Sequence, residues 1–285
     1  MKPVERQRLM IEIVESAGVC GYDGLAARLR VSAMTIRRDV DQLAQEGRVI
    51  KTLGGVQKAA SGDLYESDLR SRLLERRAEK RGIARRALDL VSGRRTVFLD
   101  GGTSCLELAR LLAAERSGLT IVTNSALACL ELGKSKANMT VGIGGQYDAQ
   151  SASFVGPSAE ESAAKFFVDL AFVSTKGLIA GEGTYESAIA TFHIKQIIAR
   201  QSSKVALLVD HSKFGRRALS KVLEVSQIHC VVTDDAAPAE DLDVLRRGGC
   251  EVLIAPRGPT GGAATDVLEQ SGAEPHAQAE AANAL

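Results

Sequence analysis

Two adjacent arginines, Arg37 and Arg38, stand in the stretch "VSAMTIRRDVDQL" (31–43). Ile36, Val40 and Leu43 recur there at helical spacing and leave the arginines off the apolar stripe. A guanidinium so placed can donate bidentately to guanine O6 and N7, or to a phosphate. Its neighbours suit the same chemistry, since Ser32 and Thr35 offer hydroxyls to phosphate oxygens and Met34 can touch a thymine methyl. Further along, Arg48 and Lys51 add cations for the DNA backbone or an adjacent minor groove. The plainer alternative is a helical hairpin whose arginines are merely solvated.

A second group of residues has the chemistry of anion and sugar binding. "FLDGGTSCLELA" runs through Asp100, Gly101 and Gly102 to Thr103 and Ser104. "IVTNSALA" carries Thr123, Asn124 and Ser125, and "GIGGQYD" carries Gly144 and Gly145. Glycines let backbone N–H groups approach an anion, and a helix starting there adds hydroxyls and its positive end. Each segment alone also reads as a tight turn with a good helix cap; three in succession favour a ligand. Lys176 in "STKGL", and Asp210 and Lys213 in "LVDHSKFG", leave two later apolar runs. Such lysines can neutralise a phosphate, and the aspartate can take sugar hydroxyls. Glu186, His193 and Lys195 are read as sharing one helical segment, Glu186 facing the pocket and His193 partly buried in packing. His211, His229 and His276 form no spaced set, so neither a metal nor a cofactor is expected.

These residues need elements to hold them. Helices are expected over about 4–17, with Leu9, Ile13 and Val14 on one side and Val4 and Ile11 at its edges, and over 22–30, with Leu25 and Leu29 paired. Gly18 should stop the first helix, and Ser32 should cap the one carrying the arginines. "EGRVIKTLGGV" offers two short strands, completing a helix-turn-helix with a wing. The run 73–91 regains helical periodicity. From Thr96 onward, seven β-rich runs (96–100, 119–123, 139–145, 168–174, 204–210, 228–234 and 250–255) alternate with helical ones (104–115, 125–133, 158–166, 186–201 and 239–247). That alternation predicts an α/β domain with a mostly parallel sheet covered on both faces. The expected division is a DNA-binding unit at 1–58, a linker at 59–75, an effector-binding α/β domain at 76–256 and a disordered tail at 257–285.

Composition narrows the function classes. With 45% hydrophobic and 25% charged residues, the 285-residue chain is typical of a soluble globular protein. No apolar run approaches the roughly 18 residues of a membrane span, so a cytoplasmic protein is expected. Few aromatics and no Trp argue against reading many stacked bases. The overall charge is +1, yet residues 1–58 hold ten Lys/Arg against seven Asp/Glu, an excess where a polyanion would be met. The five cysteines lack zinc spacing and are expected as buried thiols in a reducing compartment.

The span "RQRLMIEIVESAG…LAARLRVSAMTIRRDVDQLAQEGRVIKTLGGV" resembles the N-terminal domain of the DeoR family of bacterial transcription regulators. "LDGGTS", "VTNS", "GGQ", "FVGP", "VDLAFVSTKGL" and "VDHSKFG" are similar to that family's effector domain and follow its order. The resemblance implies that Thr35, Arg37 and Arg38 lie on a recognition helix. It also implies an effector domain folded like ribose-5-phosphate isomerase, in which a phosphorylated sugar binds and releases DNA. Lys176 departs from the pattern, because many relatives carry an acidic residue there; its charge suits an acidic sugar or a second anionic group. The expectation is a regulator, most often a repressor of carbohydrate genes, binding a duplex operator as a symmetric homo-oligomer. The alternatives are a sugar-phosphate isomerase with an appended DNA-binding domain, using Asp100, Glu186 or Asp210 as base, and an RNA- or protein-binding adaptor.

Overall fold

The structure, a computed structural model, describes residues 3–45, 48–58 and 69–256. Its N-terminal unit packs helices α1 (Pro3–Ala17), α2 (Tyr22–Leu29) and α3 (Ala33–Gln45) against a small antiparallel sheet of β1 (Val19–Gly21), β2 (Val49–Thr52) and β3 (Gly55–Lys58), ordered β1-β3-β2. Leu25, Leu29, Ile36, Val40 and Leu43 close on Met10, Ile11 and Val14. Each such side chain contributes roughly 1.5–3 kcal/mol when fully buried. The inward face of α1 differs from the expected one: Met10 is fully buried, whereas Val4 is 79% exposed. Arg6 explains the rotation. It shares a helical face with Met10 and Val14, and its guanidinium grips Asp39 of α3 at 2.5 and 3.1 Å.

Gly18 ends α1 at φ +75, its N–H bonded to Val14 O. Strand β1 has no counterpart among the expected elements. It lies so close to β3 that a Cβ on Gly55 would fall 2.1 Å from Cys20 O.

The seven apolar runs form β4 (Thr96–Leu99), β5 (Thr120–Thr123), β6 (Met139–Gly142), β9 (Leu170–Val173), β12 (Val205–Leu208), β14 (Cys230–Asp234) and β15 (Glu251–Ala255). They make one sheet, ordered β15-β14-β12-β9-β4-β5-β6, with every neighbouring pair parallel. Alternate strand residues feed opposite faces. Val97, Leu99, Ile121 and Phe172 pack under α5 (Arg77–Ala87), α6 (Thr103–Glu115) and α7 (Ala126–Leu132). Phe98, Val122 and Ala171 pack under α8 (Pro157–Ala163) and α9 (Ile189–Arg200), and Val205, Leu207 and Val231 under α10 (Ala239–Arg247). The chain winds from β4 outward to β6, then returns to β9 and winds the other way. Strands β4 and β9 therefore flank the point where the winding reverses, where open α/β sheets leave a ligand crevice.

Several expectations need correcting. Glu186 does not share the helix of Lys195. It ends β11 (Gly183–Glu186), the middle strand of an antiparallel ribbon with β10 (Gly177–Ile179) and β13 (Ser220–Glu224), and α9 begins three residues later. Residues 146–155 add a hairpin, β7 (Gln146–Asp148) with β8 (Ser153–Val155). A short helix, α4 (Leu69–Leu74), occupies the end of the expected linker, while 59–68 and the expected tail 257–285 lie outside the described residues. Cys105, Cys230 and Cys250 are buried, and burial pushes the Cys230 thiol up to about 12; Cys20 and Cys129 are half-buried. No described helix is long and apolar enough to cross a membrane.

Candidate functional site

Helix α3 presents its polar face outward. Ser32 precedes it, accepting from Thr35 N at 3.2 Å and sharing a 2.9 Å hydrogen bond with the Thr35 hydroxyl, so its oxygen caps the helix. Arg37 and Arg38 are exposed, Met34 is 60% exposed and Thr35 is half-buried. Neither arginine pairs with a carboxylate among the described residues, because the adjacent Asp39 is turned inward to Arg6. The Arg37 guanidinium lies 5.4 Å from the centre of the Tyr22 ring, within cation–π range. On the wing, Arg48 and Lys51 are exposed, and Lys51 forms an ion pair with Asp41 of α3. That carboxylate raises the Lys51 ammonium above its usual value. Leu53 is wholly exposed at the wing tip.

The second site is a cleft at the carboxyl ends of β4, β9 and β12, enclosing about 740 Å³ of atom-free space partly open to solvent. That suits a small metabolite. Ten residues expected here line it: Asp100, Gly101, Gly102, Thr103, Ser104, Asn124, Lys176, Glu186, Asp210 and Lys213. The glycines are required by crowding, since a Cβ on Gly101 would meet Ser153 Oγ at 2.1 Å and one on Gly102 would meet Ser174 Oγ at 1.8 Å. Gly102 starts α6 without a side-chain cap, leaving first-turn N–H groups facing the cleft. Asn124 is 2% exposed, and its Oδ1 has no hydrogen-bond partner while Nδ2 donates to Phe154 O at 3.2 Å. A buried acceptor left unpaired is costly unless a ligand or water completes it.

Four expected residues are not in the lining. The Thr123 hydroxyl donates to Leu99 O (2.7 Å) and accepts from Ser125 N (3.1 Å), and Ser125 caps α7 through Ala128 N at 3.2 Å. Gly145 is pressed against α8, where a Cβ would meet Ala159 at 2.8 Å, and Gly144 faces open space. For these four, the turn-and-cap reading describes the structure.

The charge at the centre belongs to Lys195, which the sequence reading left without a role. Its ammonium is 3.2 Å from Asp100, ion-paired with Glu186 and donates to Ser174 O at 2.8 Å. Asp100 also accepts from the Ser174 amide (3.0 Å) and hydroxyl (2.6 Å), tying the end of β4 to that of β9. Burial by itself lowers the Lys195 ammonium, yet Asp100 and Glu186 together hold it well above its usual value. The signal was in the sequence: in "HIKQII" Lys195 follows Ile194 and falls three residues before Ile198, both of the buried stripe. Lys80 and Arg72 also line the cleft and were missed. Lys80 falls three residues before Ile83, on the buried stripe of α5. His193, expected to be partly buried, is exposed, packs on Phe192 and pairs with Glu160 at 3.2 Å. Among the described residues no cluster of His, Cys, Asp and Glu is arranged to hold a metal.

A winged helix-turn-helix joined to an α/β domain with a polar cleft at its winding reversal defines a ligand-responsive DNA-binding regulator. Comparison with known proteins gives the family. The DeoR-like helix-turn-helix domain matches residues 6–61, and the DeoR C-terminal sensor domain matches residues 75–235. The chain belongs to the DeoR family of transcriptional regulators. Among similar proteins, the HTH-type transcriptional regulator IolR of Bacillus subtilis is 30% identical, covering 81% of this chain and 90% of that protein. The glycerol-3-phosphate regulon repressor of Escherichia coli is 28% identical, covering 86% and 96%. Among solved structures, ribose 5 phosphate isomerase A from Neisseria gonorrhoeae is 14% identical, covering 48% of this chain and 53% of that one, with a TM-score of 0.36.

Proposed function

We propose that this regulator is a repressor of carbohydrate-metabolism genes whose grip on its operator is set by a phosphorylated sugar or related anionic metabolite in the cleft. The observation that carries this reading is the pairing of an outward face on α3, its arginines uncommitted to any described carboxylate, with a cleft that holds an orphaned acceptor and converging cations. The similarity to the glycerol-3-phosphate regulon repressor supports the ligand class. Arg37 and Arg38 read base edges or phosphates, Ser32, Thr35 and Met34 contact the backbone and a methyl, and Arg48 and Lys51 carry the wing. The protein acts as a symmetric homo-oligomer, its recognition helices about 34 Å or a multiple of that apart, matching half-sites one turn or a multiple of one turn apart.

In the cleft, Asn124 and Asp210 take ligand hydroxyls, while Lys213, Lys176 and the start of α6 contribute the positive potential that admits an anionic ligand. The same geometry favours holding over turnover. Asp100 and Glu186 share Lys195, and Asp210 accepts from the Ser212 amide at 3.0 Å with Arg76 3.6 Å away. A carboxylate so committed is poorly placed to move substrate protons. A double variant, Arg37→Ala with Arg38→Ala, tests the reading by fluorescence anisotropy on genomic operator fragments. At about 1–3 kcal/mol per base contact, affinity should fall at least roughly tenfold while thermal-shift responses to phosphorylated sugars persist. Unchanged operator affinity would refute the DNA-reading assignment; a sugar-phosphate turnover signal in a coupled assay would revive the isomerase reading.

A further inference from the structure

The corner between α4 and α5 is built onto the rim of the cleft. Lys80, 5% exposed, lines the cleft, and its ammonium donates to Arg72 O and, at 2.7 Å, to Glu75 O, carbonyls at the end of α4. Arg72 also lines the cleft, and its guanidinium reaches Gln150 O at 2.8 Å. Between them Arg76 takes the left-handed conformation at φ +48, which a non-glycine residue adopts only when its surroundings hold it there. What holds it is the cleft floor. Its guanidinium lies 3.6 Å from Asp210 Oδ1 and 2.8 Å from His211 Nε2. An arginine can only donate, so His211 Nε2 accepts, and Nδ1–H is given to Asp234 Oδ2 at 2.6 Å. Lys80 is also crowded by like charge. Burial lowers its ammonium below the usual value, Asp210 opposes this, and Lys213 and Arg72 lower it further.

We propose that the ligand's anionic group binds at this corner, between Lys80, Lys213 and Arg72, and draws the Lys80 ammonium away from the α4 carbonyls. This rests on the cleft being the effector site, as argued above. Two ammoniums and a guanidinium around one space repel until an anion separates them, and an anion there gains charge-assisted hydrogen bonds from all three. Helix α4 loses a donor to the carbonyls at its end when Lys80 turns to the ligand. Since α4 stands on the chain between the winged unit and the α/β domain, occupancy of the cleft is conveyed to the segment that leads to the DNA-binding helices.

Inorganic phosphate is the probe. It is titrated into the full chain and followed by phosphorus NMR line broadening and by hydrogen exchange over residues 69–80. Phosphate should bind with roughly millimolar affinity and speed exchange in α4, and Lys80→Gln, whose amide still donates to the carbonyls, should bind at least about tenfold more weakly. Lys213→Gln should weaken binding too, which guards against a folding defect peculiar to Lys80→Gln. Phosphate binding unaltered by Lys80→Gln, undetectable in the wild type, or silent in α4 exchange would overturn the proposal. If Thr103→Ala weakens phosphate binding while Lys80→Gln does not, the anion sits at the start of α6: the cleft reading stands and the corner fails. If none of the three variants alters phosphate binding, the cleft reading itself fails.

Discussion

Lys195→Met tests the electrostatic centre of the α/β domain. The substitution keeps a linear side chain of similar volume but removes the ammonium bridging Asp100 and Glu186, which are 4% and 6% exposed. Removing one partner of a buried ion pair costs about 3–5 kcal/mol, because the remaining charge keeps its desolvation penalty without its attraction. In a domain of this size each kcal/mol moves Tm by roughly 2–4 °C, so the α/β transition should fall by about 6–20 °C in calorimetry of the full chain. Lys165→Met is the control. Its side chain is 68% exposed and pairs with Glu161 on the surface, where such pairs contribute about 0–1 kcal/mol. Adding Glu186→Gln to Lys195→Met removes one stranded carboxylate and should recover part of the loss.

The pH profile carries its own sign. Lys195 has a raised folded value, so its contribution is complete below the unfolded lysine value of about 10.4 and fades only as pH rises through the folded one. The wild type should therefore show no change from this group near neutrality. The variant should gain stability on acidification instead, as a buried carboxylate without its cation takes up a proton. A loss in Lys195→Met no larger than in Lys165→Met would refute the reasoning, and so would a double variant less stable than the single.

Three further outcomes are expected. Tyr22→Leu should weaken operator binding by about two- to fivefold while Tyr22→Phe stays near wild type in the same anisotropy titration, because the ring face that steadies Arg37 is worth about 0.5–1 kcal/mol. Equal losses in the two variants would mean that Tyr22 acts through its hydroxyl, which donates to Thr52 O at 3.4 Å. Gly55→Ala should destabilise the winged unit by about 1–3 kcal/mol in denaturant titration, since its new Cβ must displace β1 backbone 2.1 Å away; a neutral result would show that β1 is not held there. Lys213→Ala should leave operator affinity intact but blunt its response to phosphorylated sugars by about tenfold or more, read as the ligand concentration that half-dissociates DNA.

Periodicity exposed most of the fold. The seven strand runs and most helices are where alternation and apolar spacing put them, because each fills one layer of a two-faced sheet and tertiary packing agrees with local preference. What escaped was set by long-range contact. Strand β1 has three residues and exists through Gly55's closeness, and Glu186 joins a strand because β13, more than thirty residues later, pairs with it. In the cleft, hydroxyl and glycine segments marked the right handovers but not which hydroxyls turn inward: Thr123 and Ser125 satisfy backbone groups, whereas Ser153 and Ser174, unremarked in sequence, face Gly101 and Gly102. Lys80 and Lys195 escaped because a lysine on an apolar stripe is ordinarily read as snorkelling to water.

The ion pair between the wing and α3 has a consequence for how the regulator responds to ionic strength. Lys51 already faces Asp41, so a phosphate that recruits it must displace an internal carboxylate and leave that carboxylate near the polyanion. Such a lysine exchanges one anion for another and releases less than a full complement of condensed counterions. The slope of log affinity against log salt should fall short of the number of cations on the DNA-facing surface, and Asp41→Asn should steepen it.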